Sequence, residues 1–495
     1  MAAVPLVRIR ALNPAPVNAS GDYVLYWMIA FRRARWNFSL DRAVEWCREL
    51  SKPLLIFEAL RCDYPWASER LHRFVLEGMA ANARQFAAAG AFYFPYVEPS
   101  IGAAKGLFAA VAKRACVVIT DDFPAFFLPS MMDAAAKKCS VRLESVDSNG
   151  LLPLRAAAHA FPTAFAFRRF LQKELPKHLQ EMPARDALAR TQLPRLKTLP
   201  PKIFRRWPAA SAGLLNASGD ALTALPIDHS LVPASARGGS IAAERIWRSF
   251  LKRRLARYRE DRNEPELEGA SGLSAYLHFG HMSSHQIFAE VARSEKWTEA
   301  RLALRATGSR SGWWRMSEAA EAFLDQLVTW RELGFNFCAH RGDADRYESL
   351  PEWARATLEK HAGDRRKWRY TLEEFKAGQT HDPLWNAAQT QLVRDGRLHN
   401  YLRMLWGKKI LEWSKTPREA LRVMIELNNR YALDGRDPSS YSGIFWCLGR
   451  YDRPWGPERE IFGTVRYMSS ENTARKHRVR EYLKEYAPSA NRPIS

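Results

Sequence analysis

Residues 1–155 predict a parallel α/β domain and residues 241–495 an almost purely helical one, with residues 156–240 as a connector. Two observations carry this reading. Early in the chain, short apolar runs alternate with stretches of helical length, the pattern of strands joined by crossover helices. After Ile241, one helical periodicity follows another and no alternating strand pattern competes.

The strand candidates are Asp22–Ile29, Pro53–Glu58, Ala91–Val97 and Cys116–Thr120, each rich in β-branched, aromatic or aliphatic residues. Helical patterns at Ser39–Leu50 and Ser68–Ala89 fall between them. No GxGxxG follows the first strand, so the usual dinucleotide fingerprint is absent. Prolines recur from Pro162 to Pro233, and Pro208–Ser240 is rich in Ala, Ser, Gly and Pro, which marks the connector. Beyond it the helical segments are Glu244–Glu260, Ser283–Arg293, Ser317–Phe337, Pro351–His361, Pro383–Asp395, Asn400–Ser414 and Pro417–Tyr431.

Hydrophobic residues make up 47% of the 495, enough for sizeable cores and against wholesale disorder. Lys plus Arg number 75 against 53 Asp plus Glu, and the net charge of +22 points to a polyanionic partner. Six cysteines without a CxxC pair argue against a structural zinc and against a disulfide scaffold. A cytoplasmic location is therefore expected, on the nucleoid in a bacterial cell. No run of about 18 apolar residues occurs, so no membrane-spanning helix is expected. The opening segment also lacks a signal peptide's apolar run.

Four features suggest chemistry. Eleven of the 17 tryptophans lie between Trp297 and Trp455. Most tryptophans simply fill cores, but Trp406 and Trp413 are seven residues apart on one predicted helix, with Trp385 on the helix before. Such a trio is able to relay an electron to a buried redox cofactor. Second, Leu427–Gly443 ends a helix in a turn carrying Asp434 and Asp437. That is either an ordinary turn, a weak metal site lacking further ligands, or a pair of carboxylates for a cofactor's ring N–H or ribose hydroxyl. Third, Ser271, Gly272, Leu273 and Ser274 precede a helix and suit either a diphosphate or a plain cap. Fourth, Glu244–Arg259 carries seven basic residues and one acid, either a solvated face or a nucleic-acid contact, with a calmodulin-like or membrane-surface helix as a third option.

These pieces occur together in one family. His381–Leu421 (HDPLWNAAQTQLVRDGRLHNYLRMLWGKKILEWSKTPREAL), Leu427–Pro438 (LNNRYALDGRDP) and Gly449–Met468 (GRYDRPWGPEREIFGTVRYM) resemble the class II cyclobutane pyrimidine dimer photolyases. Ser271–Ile287 and Trp330–Phe337 resemble them too, and Tyr26–Leu40 and Val146–Pro153 do so more loosely. The resemblance implies a Rossmann-like α/β antenna domain followed by an all-α domain that binds FAD. It implies a light-driven enzyme in which photoexcited reduced FAD passes an electron to a pyrimidine dimer flipped out of double-stranded DNA. It further implies a monomer and leaves open a second antenna chromophore of the deazaflavin type.

By the same resemblance, Trp385, Trp406 and Trp413 match the electron relay, and Asn428 the amide facing the flavin ring. Tyr258, Ser271, Gly272, Leu273, Ser274, Arg403, Asp434 and Asp437 match cofactor-binding positions. Trp330, Met404, Trp446 and Arg453 match positions that meet the dimer or the DNA. Gln326 stands where the family is expected to carry a dimer-binding glutamate. Arg305–Ala319 looks like an insertion, and Ala156–Phe161 lacks the family's usual lysine. Gln326 favours the runner-up, a cryptochrome-like blue-light photoreceptor on the same fold. A nucleic-acid binder without catalysis is the third reading, resting on charge alone.

Overall fold

The computed structural model describes residues 3–487 apart from 190 and 218. The chain divides into two compact units. The first comprises Met1–Ala157, Glu174–Arg248 and Leu273–Glu299, and the second Ala158–Lys173, Ser249–Gly272 and Ala300–Ser495. Residues 156–240 are thus shared: Ala158–Lys173 goes with the helical unit and Glu174 onward with the sheet.

The first unit is built on six strands: β1 (Ile9–Ala11), β2 (Tyr23–Met28), β3 (Leu54–Leu60), β4 (Phe92–Val97), β5 (Ala115–Asp121) and β6 (Leu143–Val146). Their order is β1-β6-β5-β2-β3-β4, all parallel except β1, which runs antiparallel to β6. Leu25 of β2 pairs with Leu55 on one side and Val118 on the other, so β2 is buried along its whole length. Two long helices cross over, α1 (Phe38–Leu50) and α2 (Glu69–Ala88). Asn37 caps α1 by accepting from the N–H of Ser39 and Leu40. Its Leu40, Val44 and Cys47 pack on the face carrying Val24, Tyr26, Ile56, Val117 and Ile119, and each buried aliphatic contributes roughly 1.5–3 kcal/mol.

Strand order reverses between β2 and β5. There the Asp121 carboxyl accepts from the N–H groups of Ile29, Ala30 and Phe31 at 2.9, 2.8 and 2.9 Å. Its second oxygen accepts from the Tyr26 hydroxyl at 2.8 Å.

Later helices include α3 (Ala164–Glu174), α4 (Ser240–Arg253), α5 (Glu318–Leu324), α6 (Arg331–His340), α7 (Pro383–Asp395), α8 (Asn400–Trp413), α9 (Pro417–Tyr431) and α10 (Pro438–Trp446). Two sequence expectations need correction. The predicted helix Glu244–Glu260 breaks after Arg253, because Arg254 leaves helical geometry and its guanidinium donates to the carbonyls of Glu268 and Ala270. The predicted helix Ser317–Phe337 is α5 and α6 joined by a π-helical turn, Asp325–Trp330. No helix among the described residues is long and apolar enough to cross a membrane.

Candidate functional site

The tryptophan trio comes together in the second unit. Asp382 caps α7 by accepting from the N–H of Leu384 and Trp385, which fixes Trp385 in the first turn. The seven-residue spacing on α8 places Trp406 and Trp413 two turns apart. The Trp385 and Trp406 rings lie parallel at 6.5 Å, and Trp413 meets Trp385 edge-on at 5.8 Å. All three are at most 2% exposed. Trp385 donates from Nε1 to the Trp406 carbonyl, and Trp406 from Nε1 to Gln389 Oε1 at 2.9 Å. The aromatic run does not stop at Trp413. His381 lies 5.2 Å from it, Trp368 stacks on His381 at 4.6 Å, and Trp368 is 43% exposed. Sequence reading missed this path to the surface, although His381 opens the motif that contains Trp385.

Asn428 lies in the last turn of α9, buried. Its amide nitrogen donates to Ser440 Oγ at 2.8 Å and to Asn429 Oδ1 at 3.2 Å. Its Oδ1 accepts no hydrogen bond from the described residues, which leaves an acceptor there. On α8, Arg403 Nη2 donates to both oxygens of Asp434 at 3.0 and 3.1 Å. Gly435 lets this turn fold back onto α9, for a Cβ there meets the Asn428 carbonyl at 2.8 Å. Asp437 has a plain structural duty: it caps α10 by accepting from the Ser439 N–H at 2.8 Å. No group of three metal-binding side chains occurs among the described residues.

The four-residue serine loop does not sit within one unit. Ser271 and Gly272 belong to the second unit, Leu273 and Ser274 to the first. Gly272 takes φ +74°, a left-handed conformation that favours glycine. Tyr258 is buried edge-on between Phe250 and Phe323, with the Arg262 guanidinium 5.5 Å from its ring. Burial pushes its phenol pKa up.

The π-turn presents Gln326 and Trp330 half-buried while Leu327, Val328 and Thr329 are buried. Arg168 Nε donates to Asp325 at 2.8 Å and so anchors the start of the turn. The Gln326 amide makes no side-chain hydrogen bond to the described residues. Helix α6 packs on α10 where Gly334 meets Pro438 and Ser442, and α8 packs on α10 where Gly407 meets Cys447. Elements bearing Trp330, Met404 and Trp446 therefore adjoin. Met404 is half-buried beside Gly443.

Around Trp446 the structure adds Lys408, Arg466 and Asp452, which sequence reading did not single out, to Arg453, which it did. Lys408 is completely buried, donates to the Cys447 carbonyl at 2.8 Å and lies 5.0 Å from the Trp446 ring. Burial lowers its pKa to about 8. Arg466 lies 5.6 Å from Trp446 and 4.0 Å from Trp455. Exposed Arg453 covers Trp455 at 4.4 Å. Asp452 ties this stack together, accepting from Arg466 Nε and Trp455 Nε1 at 3.1 Å each. Cations alternating with ring faces suit phosphate and base contact.

Comparison with solved structures identifies the fold first. A bacterial class III photolyase from Agrobacterium tumefaciens superposes with a TM-score of 0.68 at 16% identity, over 94% of this chain and 87% of that one. The two share a fold, the photolyase fold. Sequence relatives go further. The deoxyribodipyrimidine photo-lyase of Methanothermobacter thermautotrophicus is 34% identical over 479 residues, 96% of this chain and 97% of the relative. That of Arabidopsis thaliana is 32% identical, covering 96% and 92%, and that of Potorous tridactylus 30% identical, covering 94% and 81%. No family model matches. The chain belongs to the deoxyribodipyrimidine photo-lyase family, and it is an enzyme of that kind.

Proposed function

We propose that this protein is a class II photolyase that splits cyclobutane pyrimidine dimers in double-stranded DNA under blue light, with FAD as cofactor. The observation that carries the reading is the buried trio Trp406, Trp385 and Trp413, on helices that pack on the one bearing Asn428. FAD, when bound and photoexcited in its reduced form, supplies the electron that opens the dimer. The residues present fit that cofactor. Asn428 Oδ1 is an acceptor for the flavin ring N–H. The Arg403–Asp434 pair offers donors and acceptors to the remainder. The indoles of Trp406, Trp385 and Trp413 pass electrons inward to reduce the cofactor. Trp330, Met404 and Trp446 offer flat or polarisable faces to an unstacked dimer, and Arg453 a phosphate contact.

The test is direct. Acid release from the purified protein is expected to yield about one FAD per chain, and dimer-containing duplex is expected to be repaired in light and not in darkness. A protein that binds no FAD, or that binds it and leaves dimers intact under light, overturns the reading.

Gln326 alone favours a second reading, a photoreceptor on the same fold. An amide hydrogen-bonds a thymine but does not share a proton as charge develops on the dimer, and charge-assisted hydrogen bonds are about twice as strong as neutral ones. Gln326→Glu is therefore expected to raise repair yield per photon with unchanged affinity for the dimer, measured in single turnovers at equal flavin reduction. Photoreduction without repair in both proteins selects the photoreceptor.

A further inference from the structure

Arg305–Ala319 is a fastened loop. Gly308 donates its N–H to Gln172 Oε1 at 2.7 Å, and the Gln172 amide donates back to the Ser309 carbonyl at 3.0 Å. Glu321 of α5 accepts from the N–H groups of Gly312 and Met316. Trp313 and Trp314 are buried, edge to face at 4.6 Å. Gly308 adopts φ +77°, and a Cβ there meets the Phe165 ring at 2.9 Å and Arg169 Cβ at 3.3 Å, so the loop lies directly on α3. Holding a backbone in one conformation costs conformational entropy, and these contacts offset that cost.

What the fixed frame displays is charge. Arg305, Arg310 and Arg315 are exposed and form no ion pair among the described residues. Residues 305–316 contain no acid. On α3 an exposed stripe continues the surface at four-residue intervals: Phe165 at 58% exposure, then Arg169 and Lys173. One side chain connects this surface to the π-turn. Arg168 donates from Nη1 to the Gly308 carbonyl at 3.4 Å and from Nε to Asp325 at 2.8 Å, next to Gln326.

We propose that the loop and the α3 stripe form a second DNA-backbone contact, which takes phosphodiester groups of the strand flanking the lesion. The proposal rests on the repair reading and adds a surface to it. Three observations favour DNA over an acidic protein. The cations form no ion pair among the described residues, they are held on a fastened frame, and that frame lies beside the turn that carries Gln326 and Trp330. Contacts of this kind position a duplex without reading its sequence.

The test uses the holoprotein and a variant carrying Arg305→Ala, Arg310→Ala and Arg315→Ala, all outside the flavin and lesion residues. Binding to dimer-containing and undamaged duplex is followed by anisotropy between 50 and 200 mM salt. Each phosphate contact contributes about 0.9 to the slope of log K against log salt, so the slope is expected to fall by about 2 to 3. Affinity for both duplexes is expected to fall by the same factor, with flavin content unchanged. A slope equal to wild type overturns the proposal. Arg310→Glu serves if the triple variant loses flavin, with a slope reduction of at least about 1 expected and an unchanged slope again overturning the idea. Failure of the repair reading looks different: the wild-type protein then prefers no dimer and splits none in light, whatever the loop variants do to the slope.

Discussion

Single side chains set the chemistry here, and the tryptophans show how. Trp406 is stacked parallel to Trp385 and hydrogen-bonded to a neutral amide. Phe at that position keeps most of the packing but is much harder to oxidise. Trp406→Phe is expected to bind flavin normally and to slow light-driven flavin reduction by an external donor at least tenfold, read by the flavin absorption under steady blue light. Normal photoreduction in that variant means the electron takes another route. Lys408 makes a pH-dependent prediction. Its folded-state pKa of about 8 lies below the ordinary 10.5, so between those values the unfolded chain holds a proton that the folded chain lacks. Stability then rises with pH through that window. Lys408→Met removes the titration. The stability of wild type relative to this variant is expected to climb by up to about 3 kcal/mol from pH 8 to 10.5, measured by denaturant unfolding across that range. A flat difference refutes it. The spacing of Trp385, Trp406 and Trp413 was legible in the sequence because helical period fixes which face a residue occupies. Lys408 was not, because a lysine on a helix reads as a solvated charge until the α10 carbonyl and the Trp446 ring are seen around it.

At the scale of helices and strands, caps and unusual turns decide where those side chains stand. Asp382 holds two N–H groups at the start of α7 and also accepts from Ser470 Oγ. Asp382→Ala is expected to cost about 1–2 kcal/mol of stability and to slow photoreduction, because the cap orients Trp385. Asp382→Asn, which keeps the acceptor, is expected to restore both. Stability loss with photoreduction untouched confines Asp382 to a structural part. Strands β2 to β5 were readable as apolar runs. Strands β1 and β6 were not, since β1 is three residues and β6 buries Glu144, which depends on Arg42, Arg142 and Trp46 for its partners. Such a strand looks polar until its partners are in place. The π-turn was equally hidden: the periodicity of Ser317–Phe337 is continuous, and one wider turn leaves no mark in residue type.

Taken as one molecule, the protein is strongly basic, but its charge is not evenly available. Of the seven basic residues from Arg245 to Arg259, four are paired: Arg248 with Glu244, Arg254 with Glu268, Arg257 with Asp261 and Arg259 with Glu318. Arg245, Lys252 and Arg253 form no ion pair among the described residues. Replacing these three by Ala is expected to lower the salt slope of DNA binding by more than replacing Arg248, Arg257 and Arg259, since paired cations release fewer counterions to DNA. Equal effects mean the pairs open on binding. Dimer-containing duplex is expected to bind more tightly than undamaged duplex at every salt concentration, because a damaged pair costs less to unstack. The sheet raises a different matter. Doubly wound sheets receive anionic ligands outside the strand ends where the order reverses, on backbone N–H groups. In this protein the seat is filled from within, since Asp121 takes the N–H groups of Ile29, Ala30 and Phe31. A phosphate arriving there finds those three donors spent and a carboxyl in its way. The sheet keeps the shape of a nucleotide fold while acting as its own ligand, and a guest at that edge gains no phosphate contact from those three N–H groups.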